Sequence, residues 1–416
     1  MGKNVIVVGG GIIGLCTAYY LQKEGHKVTV IDKSDITAGA SFVNAGYITP
    51  SHIIPLAAPG MIVKGMKWMF SPASPFYMKP RWDVDFFKWA WYFHKSSTPE
   101  KVAKAIPVIK DINLMSHQLY TDILQSGDLG DFQWERKGLL MLYQTDTEEQ
   151  HEMPVAEKAK ALALEVDFLN QDQLHTIEPD AAINAKAAIH YKCDGHTTPT
   201  EVMPRLKQYL TDAGVNISTD EAVLDFSLDQ GAVKAVITTK GSYTCDEIVI
   251  ATGSWSEGVA KKLNIKLPIQ AGKGYRIDVA RPTGISMPAI LMEAKVAVTP
   301  MKGFTRFAGT MEFSGINDTI RAARVQAIAK AVADFYPDIK ITAEEMAAAK
   351  SGLRPVSPDG LPYIGKSKKY TNLTFATGHA MMGWSLGPAT GKLITQLISD
   401  KKTELDLTPF SPDRRF

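Results

Sequence analysis

The stretch NVIVVGGGIIGLCTAYYLQKEGHKVTVIDK, which begins at Asn4, restricts the fold of this chain more than any other. An apolar run typical of a parallel strand buried on both faces leads into a glycine-rich turn, a helix and a second strand that ends at Asp32. Gly9, Gly11 and Gly14 have the GxGxxG spacing, which allows the tight turn, the approach of a pyrophosphate and the packing of helix on strand. The helix N-terminus offers free N–H groups to the phosphates, and an acid about 20 residues later can accept from ribose hydroxyls. A glycine-rich turn alone can be merely structural, but this combination predicts a dinucleotide site.

Three further features favour FAD over NAD, and Asp32 disfavours the 2′-phosphate of NADP. No second GxGxxG provides a separate nicotinamide domain. The small residues of ASFVNAGYITPSH, directly after the second strand, can run close along a long cofactor. Two late strands, in DEIVIATGSWS and LTFATGHAMMGWSLGPATGKLITQLIS, end in glycine, and the second leads into a helix from about Leu386. The N-terminus of that helix suits the partial negative charge of a reduced ring system. We therefore predict FAD, and we predict non-covalent binding because no cysteine lies near these motifs.

Composition and charge exclude several other classes of protein. The 416 residues suffice for two or three domains or one interleaved fold. A net charge of +2 gives no reason to expect a nucleic-acid partner. The three cysteines are far apart and form no CxxC pair, so we predict neither a disulfide framework nor a metal site. No signal peptide or membrane-spanning run is recognisable, which predicts a cytoplasmic protein, with peripheral attachment to the inner membrane face as an alternative.

The segment SGLRPVSPDGLPYIG, from Ser351 to Gly365, looks like a stiff loop built around one cation, Arg354. The arginine can brace a turn by donating to loop carbonyls. Alternatively it can bind a carboxylate, for which the planar guanidinium has the best geometry, with the prolines holding it in place.

Five motifs together resemble one known group of proteins: NAGYITPSHIIPLAAPG, KGMKWMF, AGKGYRIDV, GLRPVSPDGLPYIG and TGHAMMGWSLGPATG. They are similar to the glycine oxidase and D-amino-acid oxidase superfamily of FAD enzymes, and within it to the bacterial D-amino-acid dehydrogenases of the small-subunit type. The likeness covers nearly the whole chain. It implies an α/β fold in which a Rossmann-like FAD-binding domain of the GR2 type occupies 1–60, 195–265 and 350–416. A substrate domain on an antiparallel sheet, in 61–194 and 266–349, is interleaved with it.

The resemblance also implies a set of cofactor contacts. They are Gly9, Gly11, Ile12, Ile13 and Gly14 at the pyrophosphate; Asp32, Lys33 and the backbone of Val223 at the adenosine end; Ser41, Asn44, Ala45, Gly46, Tyr47 and Ile48 along the phosphates and flavin; Ala251, Thr252 and Gly253 over the cofactor; and Met382, Gly383, Trp384 and Ser385 beside the flavin pyrimidine ring.

On the substrate side, the resemblance implies that Arg354 grips the substrate carboxylate. Glycine oxidases have an arginine shortly after the GH of the last motif, where this chain has Met381 and Met382. They also have a tyrosine near the position of Ala297. These departures argue against glycine oxidase itself and imply a larger, more apolar pocket for the substrate side chain.

Three more residues are candidates for the catalytic site. The hydroxyl of Tyr275 can share the substrate carboxylate or amine; alternatively Tyr275 is a half-buried strand tyrosine, with Arg276 on the opposite face. His52 and His379 lie in glycine- or proline-flanked segments beside the expected flavin contacts. Either can contact substrate, but loop histidines are more often hydrogen-bonded structural groups than catalysts.

The segment 61–93 combines aromatic and basic residues and holds four of the seven tryptophans. Such a stretch can lie in a bilayer interface, where the enzyme would pass electrons to a membrane quinone. Alternatively it packs on the substrate domain and roofs the active site, which is the more common fate of aromatic clusters.

The predicted function is FAD-dependent oxidative deamination of a D-amino acid. Hydride passes from Cα to flavin N5, the products are a 2-oxo acid and ammonia, and the electrons go to a quinone-like acceptor. Alternatives within the class are a dehydrogenase of D-proline or hydroxy-D-proline and a glycine or D-amino-acid oxidase that uses oxygen. A tRNA-modifying FAD protein would need a basic face, and a flavin-binding sensor would leave Arg354 idle.

Overall fold

The computed structural model describes residues 2–60, 76–79 and 82–416. Residues 61–75 and 80–81 lie outside the described part, and with them the KGMKWMF motif and part of the aromatic segment.

The described part of the chain contains ten α-helices and 21 β-strands. The helices are α1 Ile12–Lys23, α2 Val84–Ser96, α3 Pro99–Ser126, α4 Asp146–Ala161, α5 Gln171–Ile177, α6 Pro199–Asp212, α7 Ser256–Lys262, α8 Ala322–Phe335, α9 Ala343–Ala347 and α10 Gly387–Ile398. The strands are β1 Asn4–Val8, β2 Lys27–Ile31, β3 Tyr47–Ile48, β4 Phe76–Met78, β5 Trp134–Glu135, β6 Leu139–Tyr143, β7 Val166–Leu169, β8 Ala187–Tyr191, β9 Gly195–Thr197, β10 Asn216–Ser218, β11 Val223–Asp229, β12 Ala232–Thr238, β13 Ser242–Thr244, β14 Glu247–Ile250, β15 Gln270–Val279, β16 Ala289–Leu291, β17 Val296–Met301, β18 Phe304–Phe313, β19 Lys350–Val356, β20 Tyr363–Lys366 and β21 Leu373–Thr377.

A six-stranded sheet carries the predicted dinucleotide motif, in the order β10-β2-β1-β14-β21-β20. Its strands are parallel except β20, which runs antiparallel to β21. The predicted strand–helix–strand unit is thus confirmed as β1–α1–β2. The glycine-ended strands predicted late in the chain are β14 and β21, and both lie in this sheet. Helix α10 packs against α1 so closely that a Cβ at Gly391 would lie 2.5 Å from the carbonyl oxygen of Cys16.

A nine-stranded sheet forms the second half of the molecule, in the order β19-β15-β18-β17-β16-β6-β8-β7, with β4 paired to β18. Its pairs are antiparallel except β16–β6 and β4–β18, which are parallel. The antiparallel substrate sheet is therefore confirmed, with these two exceptions. Helix α8 covers one face of it through a buried cluster that includes Tyr275, Ile277, Val325 and Ile328. Two three-stranded sheets, β11-β12-β13 and β3-β9-β5, complete the described architecture.

The segment around Arg354 differs from its prediction as a loop. Lys350–Val356 is strand β19, and Arg354 lies opposite Gly272 of β15. The strand tolerates Pro355 because β19 is at the edge of the sheet, where no neighbour needs the missing N–H. The predicted domain boundary at residue 350 assigned this strand to the FAD-binding domain, whereas it pairs within the nine-stranded sheet. The rest of the domain division stays a prediction.

Candidate active site

A cavity of about 1200 Å³ lies between the two large sheets and takes lining residues from both. Most of the predicted site residues line it: Gly9, Gly11, Ile12, Ile13, Asp32, Lys33, Ser41, Asn44, Ala45, Tyr47, His52, Val223, Ala251, Thr252, Gly253, Tyr275, Arg354, His379, Met382, Gly383, Trp384 and Ser385. Gly14, Gly46 and Ile48 do not line it. The volume exceeds the ~300–1,000 Å³ of most small-molecule sites, which leaves room for a long cofactor and a second ligand.

The glycine turn at one end of the cavity is shaped by close backbone contacts. Gly9 has a φ of 111°, and a Cβ there would overlap the carbonyl oxygen of Ala251 at the end of β14. A Cβ at Gly14 would overlap the carbonyl oxygen of Gly9. These positions require glycine, and they form a cradle of the kind that lets a pyrophosphate approach the backbone.

Asp32 follows strand β2 and is held rigidly at the cavity wall. Its carboxylate accepts hydrogen bonds from the backbone N–H groups of Gly10, at 2.6 Å, and Ser34, at 2.8 Å. The Nζ of the neighbouring Lys33 lies 3.5 Å from the ring centroid of Trp255. Trp255 lines the cavity but was missed in the sequence, although it lies only two residues after the predicted Ala251–Gly253 segment.

The segment after β2 is fixed on both of its sides. The Ser41 hydroxyl accepts from the backbone N–H of Ile12, the first residue of α1, at 3.0 Å. The Asn44 side chain accepts from the backbone N–H of Gly46 at 2.8 Å, and the Thr299 hydroxyl donates to the Ala45 carbonyl at 2.8 Å. These bonds fix the small-residue segment along the cavity; its predicted contacts with the cofactor stay a prediction.

A buried arginine that sequence reasoning missed braces this segment from the opposite sheet. Arg306, on β18, donates to the carbonyl oxygens of Phe42, at 2.9 Å, and Asn44, at 2.7 Å. It also pairs with Asp278 through Nε and Nη2. Burial lowers the pKa of Arg306 to about 9, so it stays a cation at neutral pH. No local signal marks Arg306 in the sequence, because its partners are distant along the chain.

The loop before α10 is anchored by hydrogen bonds of Trp384 and Ser385, two of the residues predicted to contact the flavin. The Ser385 hydroxyl accepts from the backbone N–H of Thr49 and donates to Asn113 Oδ1 at 2.6 Å. The Trp384 indole N–H donates to the Thr197 hydroxyl at 2.7 Å. These bonds hold the N-terminal end of α10 against the cavity.

Arg354 lies on the wall formed by the nine-stranded sheet. Its guanidinium passes directly over Gly274, where a Cβ would overlap it. Nη1 donates to the carbonyl oxygen of Thr310 at 2.6 Å. No acidic side chain of the described residues forms an ion pair with it. Burial lowers the pKa of Arg354 to about 10, so it remains charged at neutral pH. The guanidinium is half-buried, so it is partly removed from water without a counter-ion, and an anionic ligand would relieve that cost.

A β-bulge aims the Thr310 carbonyl at Arg354. Lys273 pairs with Glu312 and Tyr275 pairs with Gly309, so two residues of β18 face the single residue Gly274. Thr310 has a φ of 66°, which is a rare conformation for a β-branched residue. Such strain costs on the order of 1–3 kcal/mol and concentrates at functional sites. The bulge therefore positions the arginine, a function for which bulges beside active sites are known.

Tyr275 does not point toward Arg354. Its side chain shares a sheet face with Ile277, under α8, and its hydroxyl donates to Glu312 Oε2 at 2.7 Å. Burial, then the bond to Glu312, raises its pKa. Successive strand residues alternate between faces, so the hydroxyl lies on the opposite side of the sheet from Gly274. This geometry corrects the predicted substrate contact of the Tyr275 hydroxyl and favours the alternative of a structural tyrosine.

Both candidate histidines line the cavity in the neutral form. Burial lowers the pKa of His52 to about 4 and that of His379 to about 3. The His379 Nε2 lies 2.9 Å from the Thr390 hydroxyl on α10, and His52 Nδ1 lies 3.3 Å from the Ser51 hydroxyl. A neutral imidazole with so low a pKa is a weak base, so these groups suit hydrogen bonding better than proton abstraction.

The arrangement fits a dinucleotide and a small anion in one cavity. The glycine cradle and Asp32 stand at one end, the Ser41–Ile48 segment runs along the length, and Arg354 faces the interior from the other sheet. The charged guanidinium, which has no acidic partner in the described part of the chain, and the glycine cradle are independent observations that point to these two ligands.

Comparison with known proteins gives relatives over the full length. A family model described as "FAD dependent oxidoreductase" matches residues 4–397. A D-amino acid dehydrogenase of Helicobacter pylori strain J99 is 30% identical over 406 residues, covering 97% of each chain. One of Agrobacterium fabrum is 30% identical over 412 residues, again covering 97% of each chain.

Solved structures with the same fold extend over the whole chain. Glycine oxidase from Geobacillus kaustophilus has a TM-score of 0.80 at 23% identity, covering 100% of this chain and 99% of that one. L-proline dehydrogenase from P. horikoshii has a TM-score of 0.77 at 19% identity, covering 99% and 97%. At these identities the structures support the fold alone.

Proposed function

Because the chain belongs to the family of FAD-dependent oxidoreductases, we propose that it catalyses the oxidative deamination of a D-amino acid and passes the electrons to a quinone-like acceptor. The chain is an amino-acid dehydrogenase or oxidase; the D-configuration and the acceptor are the proposed parts. The observation that carries the proposal is Arg354, a half-buried cation on the cavity wall with no acidic partner among the described residues. An amino acid carries the carboxylate that this position requires.

FAD, when bound, supplies the two-electron acceptor for the hydride that leaves the substrate Cα. The glycine turn at Gly9 would hold its pyrophosphate, Asp32 its ribose, and the segments around Ala45 and Met382 its ring system. We assign these contacts from the cradle and the cavity lining.

The chain's own residues would bind and orient the substrate. Arg354 fixes the carboxylate, and the Thr310 carbonyl keeps the guanidinium in one place. The wall beside it is apolar: Met311 Sδ lies 3.8 Å from Nη1, and Phe76 pairs with Met311 across the strands. Such a wall excludes water and strengthens the electrostatic attraction between the guanidinium and the substrate carboxylate. Since the cavity histidines are weak bases, positioning carries most of the catalysis.

The decisive test is anaerobic reduction of the bound flavin. We expect a D-amino acid to bleach the flavin absorbance while its L-enantiomer does not. D-Proline, cis-4-hydroxy-D-proline and glycine are run in parallel to separate the alternative substrates. If none of these compounds bleaches the protein with flavin bound, the proposal is wrong. Repeating the reoxidation with oxygen and with a soluble quinone then distinguishes an oxidase from a dehydrogenase.

The described part of the aromatic segment has two different faces. Phe86 and Trp89 of α2 are buried against β18 and β19, where the Trp89 indole donates to the Val356 carbonyl at 2.9 Å. Trp82, Val84 and Trp91 point outward, with 99%, 83% and 56% of their surface exposed. The first face packs on the nine-stranded sheet, although Phe86 and Trp89 do not line the cavity. The second face is the surface that supports the proposed membrane contact.

We place the proposed membrane contact on this exposed face. Val84, Phe87 and Trp91 follow helical spacing along one side of α2, and Lys88 and Lys95 flank them. An exposed apolar face with adjacent lysines suits an anionic bilayer surface. None of the helices in the described part of the chain is long and apolar enough to cross a bilayer.

Vesicle binding tests this contact. We expect the double variant Trp82→Ser, Trp91→Ser to bind phosphatidylglycerol-containing vesicles at least about tenfold more weakly in a sedimentation assay. The reason is that two indole rings, which would be buried in the bilayer interface, are removed. Leu228→Ser, an exposed leucine on β11, is the matched control and should bind as the wild type does. Equal binding by the double variant and the control would contradict the proposed face.

A further inference from the structure

One face of the nine-stranded sheet carries a row of small and apolar residues that leads away from Arg354. Across neighbouring strands, Ala308 pairs with Ala297, Ala297 with Ile290, and Ile290 with Met141. All four residues line the cavity. The two alanines are the smallest members, so they leave a gap in the wall where the row begins.

This row lies on the same face as the arginine. Arg276 pairs with Ala308, and Gly274 lies two residues before Arg276 on the same side of β15. The guanidinium of Arg354 crosses Gly274 toward β18. A carboxylate held there therefore stands at the start of the row, and the side chain that follows it can extend over Ala308 and Ala297.

The far end of the row is bordered by buried apolar groups and by an ion-pair cluster around the exposed Lys295. Ile53, Tyr191 and Met292 are buried there and line the same cavity. Lys295 lies 3.2 Å from Glu148 and 3.7 Å from Glu152, so its charge is already paired. With neighbouring strands about 4.8 Å apart, the row from β18 to β16 extends about 10 Å, which is enough for a long, unbranched side chain.

We propose that this row, which we call the side-chain arm, binds the extended neutral side chain of the substrate, and that Ala297 opens it. The arm comprises Ala308, Ala297, Ile290 and Met141, and Met292 lies at its far end. The inference rests on the proposed function only in that Arg354 anchors the carboxylate. It predicts that the preferred substrates are amino acids with long, uncharged, unbranched side chains.

Straight-chain carboxylic acids test the arm without requiring turnover. Propionate, butyrate, pentanoate and hexanoate are titrated into the FAD-loaded protein, and binding is followed by the change in flavin absorbance. In the wild type each added CH₂ should tighten binding about fourfold, because it is transferred into an apolar arm. In Ala297→Tyr the phenol ring fills the arm, and the four acids should bind with equal affinity to within about twofold.

Two further variants serve as controls for folding and for the added ring. Ala297→Val adds less bulk and should give an intermediate dependence on chain length, even if the tyrosine variant folds poorly. Ala182→Tyr adds the same ring at an exposed alanine outside the cavity and should retain the wild-type dependence. The proposed arm is wrong if affinity does not depend on chain length in the wild type. It is also wrong if both Ala297 variants keep the wild-type dependence.

Turnover separates failure of the arm from failure of the proposed function. If D-amino acids reduce the flavin, the ratio of kcat/KM for D-norleucine to that for D-alanine should fall at least tenfold in Ala297→Tyr. An unchanged ratio rejects the arm and leaves the proposed reaction standing. If no amino acid reduces the flavin but the acids still show the Ala297-dependent trend, the arm stands and the reaction is rejected.

Discussion

Replacing Arg354 with alanine is expected to lower kcat/KM for a D-amino acid by at least roughly 100-fold, mainly through a higher KM. Removing one partner of a buried charge pair typically costs about 2–5 kcal/mol, and here the substrate carboxylate would lose its counter-charge. FAD should remain bound, because Arg354 lies on the opposite sheet from the glycine turn. The measurements are steady-state kinetics and the flavin content of the purified variant. Unchanged kinetics would show that another group anchors the carboxylate.

Two additional variants test the geometry of this anchor. Arg354→Lys keeps the charge but loses the planar fork, so an intermediate loss is expected. In Gly274→Ala the arginine is intact, but the new Cβ overlaps the position of the guanidinium. We expect its KM to rise nearly as much as that of Arg354→Ala. A normal KM in Gly274→Ala would mean that the guanidinium binds substrate in another position.

Replacing Gly9 with alanine is expected to reduce FAD affinity by roughly 30- to 1,000-fold. The residue has a φ of 111°, and the added Cβ overlaps the carbonyl oxygen of Ala251. An L-residue in this conformation with a backbone overlap costs on the order of 2–4 kcal/mol, and relaxation would move the turn away from the pyrophosphate. Flavin retained after desalting and fluorescence titration of the apoprotein measure the effect.

The matched control is Gly25→Ala, at the other end of α1. Gly25 also has a positive φ, 87°, but nothing lies within 4 Å of the added Cβ. The control should lose a little thermal stability and bind FAD normally, because the strain is local. If Gly9→Ala also binds FAD normally, the turn at Gly9 does not shape the cofactor site.

Features that depend on neighbours along the chain were predictable. The glycines at 9, 11 and 14 and the acid at 32 lie within one strand–helix–strand unit, so spacing alone indicated their arrangement. The small-residue segment follows that unit directly, and Ser41, Asn44, Ala45 and Tyr47 line the cavity, whereas Gly46 and Ile48 do not. Its contacts with the cofactor stay a prediction.

Features that depend on pairing between distant strands were not predictable from the residues. The proline-rich segment around Arg354 has the composition of a loop, yet it is an edge strand because β15 offers it a partner. Tyr275 and Gly274 are adjacent in sequence, but the alternation of strand faces sends the tyrosine hydroxyl to Glu312 and leaves the arginine over the glycine. Which of the two faces is the cavity depends on what packs above the sheet.

By itself, the sequence determined that this chain builds a dinucleotide turn and carries a cation suited to a carboxylate. The dinucleotide turn is decided by local backbone sterics, since only glycine tolerates the conformation and the close contact at Gly9. Tertiary structure alone decided how the cation is held. The bulge at Thr310 and the absent side chain of Gly274 come from strands far from Arg354 in the chain, and long-range strand pairing has no local signature.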